Sequence, residues 1–444
     1  MKTASRILII TLMIAGCSSR HGSSSSTGGG ITGTVPPARE AVLKMVSVVR
    51  PGTPNRIISV GGDKADIRGY SSGAIQTAID ALHNQDNGGT VFLQPGVYEI
   101  IAPVTLYDNI TLKGSGPSTI LKKCKGFRSP FALDADYGEL EITVKDASGF
   151  RPGMGVAVYD DEKRSGWDVT TAKIIDIKGN TIYVDQFLVR DYEAGKNGTL
   201  SNACSVISAV NAGNIAIADL TVDGTKESND LVDGCRAGAI YLHKVHDALV
   251  DKVVVRDFNC DGISWQITEN VTVSNCEIYG CANAGLHPGT GSPFTHITGN
   301  NSHDNSRFGL YVCWRVRHGE VTSNSFHNNG VNGICTGHKD TDMLFAENKV
   351  FDNGGDGINL RNDGLLNEPH RSIIRNNIIE NNGGYGVSVD CPAEGVVIEG
   401  NTISNRPGGL QKVAVFLGPK SLPVTIKDNK ISGFADGEIF HANK

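Results

Sequence analysis

The chain has 444 residues, with 41 basic and 47 acidic side chains and a formal net charge of −6. Hydrophobic residues make up 39%, aromatics only 6%, and glycine fills 54 positions, which excludes a disordered chain, a membrane-embedded one and a general binder of nucleic acid. Much glycine with few aromatics points to many short turns around an aliphatic core, and so to a repetitive β architecture rather than a helical one.

Lys2 and Arg6 flank the start of a short apolar run, Ile7 to Ala15, which closes with Ile14-Ala15-Gly16-Cys17. The run is too short to span a bilayer, so residues 1–16 read as a signal peptide. The segment resembles a bacterial lipoprotein signal, which implies cleavage before Cys17 and a diacylglycerol on its sulfur. By the same resemblance, Ser18 is not the Asp that retains lipoproteins in the inner membrane, so an outer-membrane anchor is expected. Residues 17–54 are the lipidated cysteine and its tether; the stretch 18–34 is rich in Ser and Gly and has no hydrophobic pattern. Of the ten cysteines, the nine beyond Cys17 are scattered over 124–391 with no CxxC pair. Buried thiols are expected there, with neither a disulfide framework nor a zinc signature.

From Ser72 to Leu82 the spacing predicts a helix, with Ile75, Ala78, Ile79 and Leu82 on one face and a serine at the capping position. Residues 139–190 carry alternating runs at Val156–Tyr159, Lys173–Ile177 and Thr181–Val184 and read as a small β insertion. It either walls one end of a groove or decorates its side. The main pattern resumes near Cys204. From there a glycine followed by an aliphatic residue recurs at Gly238, Gly262, Gly285, Gly309, Gly333, Gly357 and Gly386, about every 24 residues. Between these markers an asparagine leads a short apolar alternation, as at Asn275, Asn324, Asn348, Asn377 and Asn401. Each unit reads as strand, turn, strand and Asn-rich turn, and none has the length or period of a helix.

A unit of this kind cannot bury its own apolar face, so neighbours must stack into a continuous core. Period two predicts one inward row made of Ile263, Leu286, Leu310, Ile334, Ile358 and Val387. The pattern resembles the right-handed parallel β-helix of pectate-lyase-like proteins, over most of residues 55–440. The run Gly88–Tyr98 is similar to the first coil of that superfamily, and the helix before it would cap the open end of the solenoid. The expected fold is therefore all-β: a parallel β-helix over 55–440 with an N-terminal capping helix and a side insertion.

In stacked coils, residues one period apart become neighbours. The positions that alternation turns outward, with the corner that follows, are Tyr241 and His243; Ser264 and Gln266; His287; Tyr311, Trp314 and Arg315; His338, Lys339 and Asp340; Asn359, Arg361, Asn362 and Asp363; and Asp390. Histidine, aromatic and cationic groups on one strip point to a groove for a sugar polymer. The resemblance implies the same, since such β-helices mostly lyse, hydrolyse or epimerise acidic polysaccharides. β-Elimination needs a cation at the uronate carboxylate, a base and an acid. Arg315 or Arg361 would serve as the cation, and two of His287, His338 and Lys339 as base and acid. His243, Gln266, Tyr311, Trp314, Asp340, Asn362 and Asp363 would hold substrate. Glycoside hydrolysis would instead use paired carboxyls, here Asp340 and Asp363. A carbon-five epimerase shares the proton abstraction, although His287-Pro288 departs from the Asp-Pro-His motif of mannuronan epimerases in lacking the Asp and in order. A non-catalytic polysaccharide binder or adhesin is the remaining alternative. No cofactor is required; calcium, which many β-helix lyases use, would fall to Asp340, Asp342 and Asp363. The expected partner is a polysaccharide, with the membrane reached through the lipid alone.

Overall fold

The computed structural model describes residues 56–434 and 437–442. The signal peptide, Cys17 and the tether up to residue 54 lie outside the described residues.

Each repeat winds once around a solenoid and contributes three short strands, one to each of three sheets. Among the described residues the first sheet has thirteen strands and the other two eleven each, every pairing being parallel. One coil shows the path: Ile240–His243 in the third sheet, His246–Asp251 in the first and Val254–Arg256 in the second. The unit thus has three strands rather than two. The Asn-led stretch is the strand of the second sheet alone, and a left-handed residue just ahead of that strand, such as Lys252, Asn275 or Asn376, bends the chain into it from the first sheet.

The predicted inward row is present. Ile263 pairs with Leu286, which pairs with Leu310, and the column runs on through Ile334, Ile358 and Val387. All six are fully buried in one core running the length of the solenoid. At about 25 cal/mol per Å² of apolar surface removed from water, this continuous aliphatic stack is the main stabilising term. Two corners add ladders of buried asparagine. Asn348 Nδ2 donates to Val321 O at 2.8 Å and to Asn377 Oδ1 at 3.0 Å, while its Oδ1 accepts from Asn324 N at 3.0 Å. The ladder passes through Asn300, Asn324, Asn348, Asn377 and Asn401. Asn275 is not a member, because Cys276 N occupies the equivalent donor position beneath Asn300.

The helix, α1 (Ser72–Asp86), is capped by Ser71, whose Oγ accepts from Ala74 N at 3.2 Å. Its buried face is Ile75, Ala78, Ile79 and Leu82, which joins the solenoid core and covers its N-terminal end. The insertion is longer than the expected 139–190. Its six antiparallel strands begin at Arg128–Pro130 and end at Thr199–Ser201, around a core of its own that includes Phe131, Ile142, Val158 and Leu200. These outer strands have three residues each, too few to register as an alternation. The solenoid resumes at Ile207, which pairs with Val104.

Candidate functional site

On the third sheet, the residue after the inward Ile/Leu/Val of each coil faces out. The resulting column is Tyr241, Ser264, His287, Tyr311, Cys335, Asn359 and Ser388. A second outward column contains His243, Gln266 and Gly289, and further along Gly337 and Arg361. The corner beyond the sheet carries Trp314 and Arg315 on one coil, and His338 and Lys339 on the next.

Five of the predicted residues meet in one cluster. The Trp314 ring stacks on the His338 ring with centroids 4.4 Å apart and planes 19° from parallel. Trp314 is 43% exposed, so its outer surface remains open to solvent. Asp363 Oδ2 accepts from Arg361 Nε at 2.8 Å and from the His338 backbone N at 3.1 Å, and lies 4.0 Å from His338 Nδ1. The Arg361 guanidinium lies over the Tyr311 ring, 4.7 Å from its centroid, and its Nη1 donates to Val312 O at 2.8 Å. This reach requires Gly337, because a Cβ there would collide with the Arg361 side chain. Arg315 and Lys339 flank the cluster from corner positions with φ of 60° and 64°, Arg315 exposed and Lys339 half-buried. Burial holds the His338 pKa below its ordinary value, opposed by Asp363 and aided by the Arg315, Arg361 and Lys339 cations. The imidazole is therefore neutral at pH 7 and has a base to offer.

A second group lies towards the insertion. His287 Nδ1 and Asp261 Oδ2 are 2.6 Å apart, with both side chains at most 5% exposed. Burial by itself would lower the imidazole pKa, but the Asp261 carboxylate outweighs it and raises it to about 10. Gly234 lies directly over this pair, where any Cβ would strike Asp261 Oδ2, and its carbonyl accepts from Ser264 Oγ at 2.7 Å. His243 sits beneath Trp167 of the insertion, ring centroids 5.5 Å apart, and burial lowers its pKa to about 4. The Arg236 guanidinium lies 4.8 Å from the Trp167 ring centroid, and its Nη2 donates to Trp167 O at 2.6 Å.

Several expectations are corrected by this geometry. His287 is not a free base on an open strip: it is a buried, protonated partner of Asp261. Gln266 is fully buried, its Nε2 donating to Ser264 Oγ at 3.2 Å. Asp340 is also fully buried, its carboxylate accepting from Gly337 N at 2.9 Å and Val316 N at 2.9 Å. Its corner turns back under the sheet instead of following the outward alternation, and burial pushes its pKa up to about 8. Asp340 therefore does not face a bond between sugars together with Asp363. Of the three aspartates suggested for calcium, Asp340 and Asp363 are both paired with Arg361, at 3.9 and 2.8 Å, while Asp342 is held by Arg371 through two bonds of 2.7 Å. Among the described residues, no group of three or more His, Cys, Asp or Glu is arranged to hold a metal ion. Asn362 is exposed and closes its own turn by accepting from Gly364 N at 3.1 Å. All nine described cysteines are free and seven are buried; Cys335, in the outward column, is not inside the solenoid as expected.

Sequence reasoning missed Asp261, Trp167 and Arg236. Asp261 stands immediately before a marker glycine, and Asp356 does the same four coils further on, accepting from Ser388 Oγ at 2.5 Å. An acid before the marker glycine is thus a signal for a polar outward residue on the following coil. Trp167 and Arg236 carried no such signal, because they belong to segments outside the repeat.

A family model described as the right handed beta helix region matches residues 155–316, 205–365 and 295–431, together more than half of the chain. The chain belongs to this right-handed β-helix family. No match is found among curated proteins. Similar solved structures include the A-module of the mannuronan C-5 epimerase AlgE4 of Azotobacter vinelandii, at 15% identity and a TM-score of 0.49, covering 90% of this chain and 99% of that one. An exopolygalacturonase of Thermotoga maritima is similar at 15% identity and a TM-score of 0.43, covering 89% and 95%. PfbA, a surface adhesin of Streptococcus pneumoniae, is similar at 14% identity and a TM-score of 0.48, covering 83% and 88%.

Proposed function

We propose that this protein is a carbohydrate-active enzyme that takes a uronate-containing polysaccharide and abstracts the ring proton beside the uronate carboxylate, with β-elimination as the outcome. The observation that carries this reading is the exposed Trp314 ring stacked on a neutral His338 and flanked by the Arg315 and Lys339 cations. The Trp314 face turned away from His338 offers an apolar surface for the pyranose of the neighbouring subsite, with the reacting sugar over the edges of the stacked pair. Arg315 neutralises the carboxylate and stabilises the enolate-like charge that develops when the proton leaves. His338 takes that proton, and the Lys339 ammonium supplies one to the departing glycosidic oxygen. The Arg361–Asp363 pair positions the His338 backbone instead of reacting, since Arg361 has already committed Nε to Asp363 and Nη1 to Val312 O. Hydrolysis by paired carboxyls is disfavoured by the burial of Asp340, which leaves Asp363 without its expected partner.

A panel of uronic-acid polysaccharides tests the reading. Unsaturated products seen by ultraviolet absorbance support elimination. New reducing ends without them indicate hydrolysis, a changed uronate configuration without cleavage indicates epimerisation, and binding without turnover indicates an adhesin. The Ile14-Ala15-Gly16-Cys17 segment supports a further part of the proposal: export, with lipid on Cys17 holding the solenoid at the outer membrane.

A further inference from the structure

Resting on that reading, we infer that Trp167 and Arg236 form a terminal subsite that closes one end of the groove, so that the protein engages an acidic polysaccharide from a chain end.

The closure is built from two segments outside the repeat and tied at several points. Trp167 comes from the insertion, in a short turn of helix at Gly166–Asp168, and its ring lies over His243. Arg236 comes from the segment that links the second sheet to Ile240–His243; it covers Trp167 and donates to its carbonyl. The same segment is fastened to the insertion through Asp230, which accepts from Tyr159 Oη at 2.8 Å and pairs with Arg128 at 3.1 Å. These ties hold a wall across the third sheet at the level of His243. His243 Nε2 is buried beneath it without a hydrogen-bond partner, as is Arg236 Nε. Such polar atoms are costly to bury unpaired, so the ties between the insertion and the 229–237 segment must outweigh that cost to keep the wall in place.

The span from this wall to Trp314 is three inter-strand steps, about 14 Å, on the order of two or three pyranose rings. The chemistry of the wall fits the end of an acidic chain: the half-exposed edge of the indole against the terminal sugar, with a guanidinium for its carboxylate. A polymer laid on Trp314 and running towards the insertion must therefore stop at Trp167. The segment beyond the reacting bond would be short, and product would leave as small units.

The chain has three tryptophans, Trp167, Trp265 and Trp314, and Trp265 is fully buried. Trp314→Phe therefore leaves Trp167 as the responsive fluorophore, and Trp167→Phe leaves Trp314. Each variant is titrated with short oligomers of galacturonate and of mannuronate, and with the long parent polymers. The expected result is that the oligomers change both emissions, with half-points that coincide for short and long chains when concentration is counted in chain ends. On a per-sugar basis a tenfold longer chain should bind about tenfold more weakly. If Trp314 responds while Trp167 stays silent, or if the half-points coincide in sugar units, the terminal subsite is refuted and the proposed function stands. If neither fluorophore responds to any uronate, the proposed function falls and the subsite with it.

Discussion

Replacing Asp261 by Asn separates a structural from a catalytic role for His287. The wild-type pair is 2.6 Å apart and almost wholly shielded, so neither partner gains from water what it would lose from the other. Asn retains an oxygen for the other two contacts, from Asn283 Nδ2 at 2.7 Å and Ala284 N at 2.9 Å, so the substitution removes the charge and little else. Breaking a buried pair costs about 3–5 kcal/mol, and the rise of the His287 pKa from 6.5 to about 10 sets a ceiling of roughly 5 kcal/mol by linkage. The sign is fixed by where the proton sits. Native His287 keeps its proton up to about pH 10, while the unfolded imidazole gives it up near 6.5. The stabilisation is thus complete below about pH 6.5 and is lost as pH rises towards 10. Buried thiols, whose pKa values are also raised, impose a further loss on both proteins above about pH 8, so the observable is the difference between them. Urea unfolding at several pH values should show a gap of about 3–5 kcal/mol near pH 6 that narrows steadily towards pH 10. A gap that is constant with pH, or below about 1 kcal/mol at pH 6, would refute the buried imidazolium.

Three further outcomes are expected. Leu310→Ala, in the middle of the inward row, should cost about 2–5 kcal/mol in chemical denaturation by opening a cavity that the fixed coil spacing cannot close. His338→Ala and Trp314→Ala should lower turnover of a confirmed uronate substrate at least tenfold while moving stability by no more than about 1 kcal/mol, since surface groups contribute little; a loss of stability in proportion to activity would place them in the scaffold instead. Cys17→Ser should move the protein from the membrane fraction to the soluble one, and unchanged fractionation would end the lipid-anchor proposal.

The solenoid was legible because its physics is one-dimensional. A period of 24 with a glycine before each inward aliphatic residue leaves only stacking as a way to bury Ile263, Leu286 and Leu310, and α1 announced itself through the same kind of spacing. Equally, Trp314, His338 and Arg361 could be placed side by side from sequence, because stacked coils turn a fixed interval into a neighbour. The limit was reached wherever the chain leaves the repeat. The corner at Asp340 folds inward, where its carboxylate caps backbone amides, and alternation gives no sign of that bend. His287 looked exposed by the same alternation, yet Gly234 in a connecting segment covers it and Asp261 holds its proton. Which outward residues stay open to solvent was decided by the insertion and the 229–237 segment, whose contacts join residues as distant as Tyr159 and Asp230. Those contacts obey no interval, so the period that determines the scaffold says nothing about them; only the folded chain sets which part of the groove is open and where it ends.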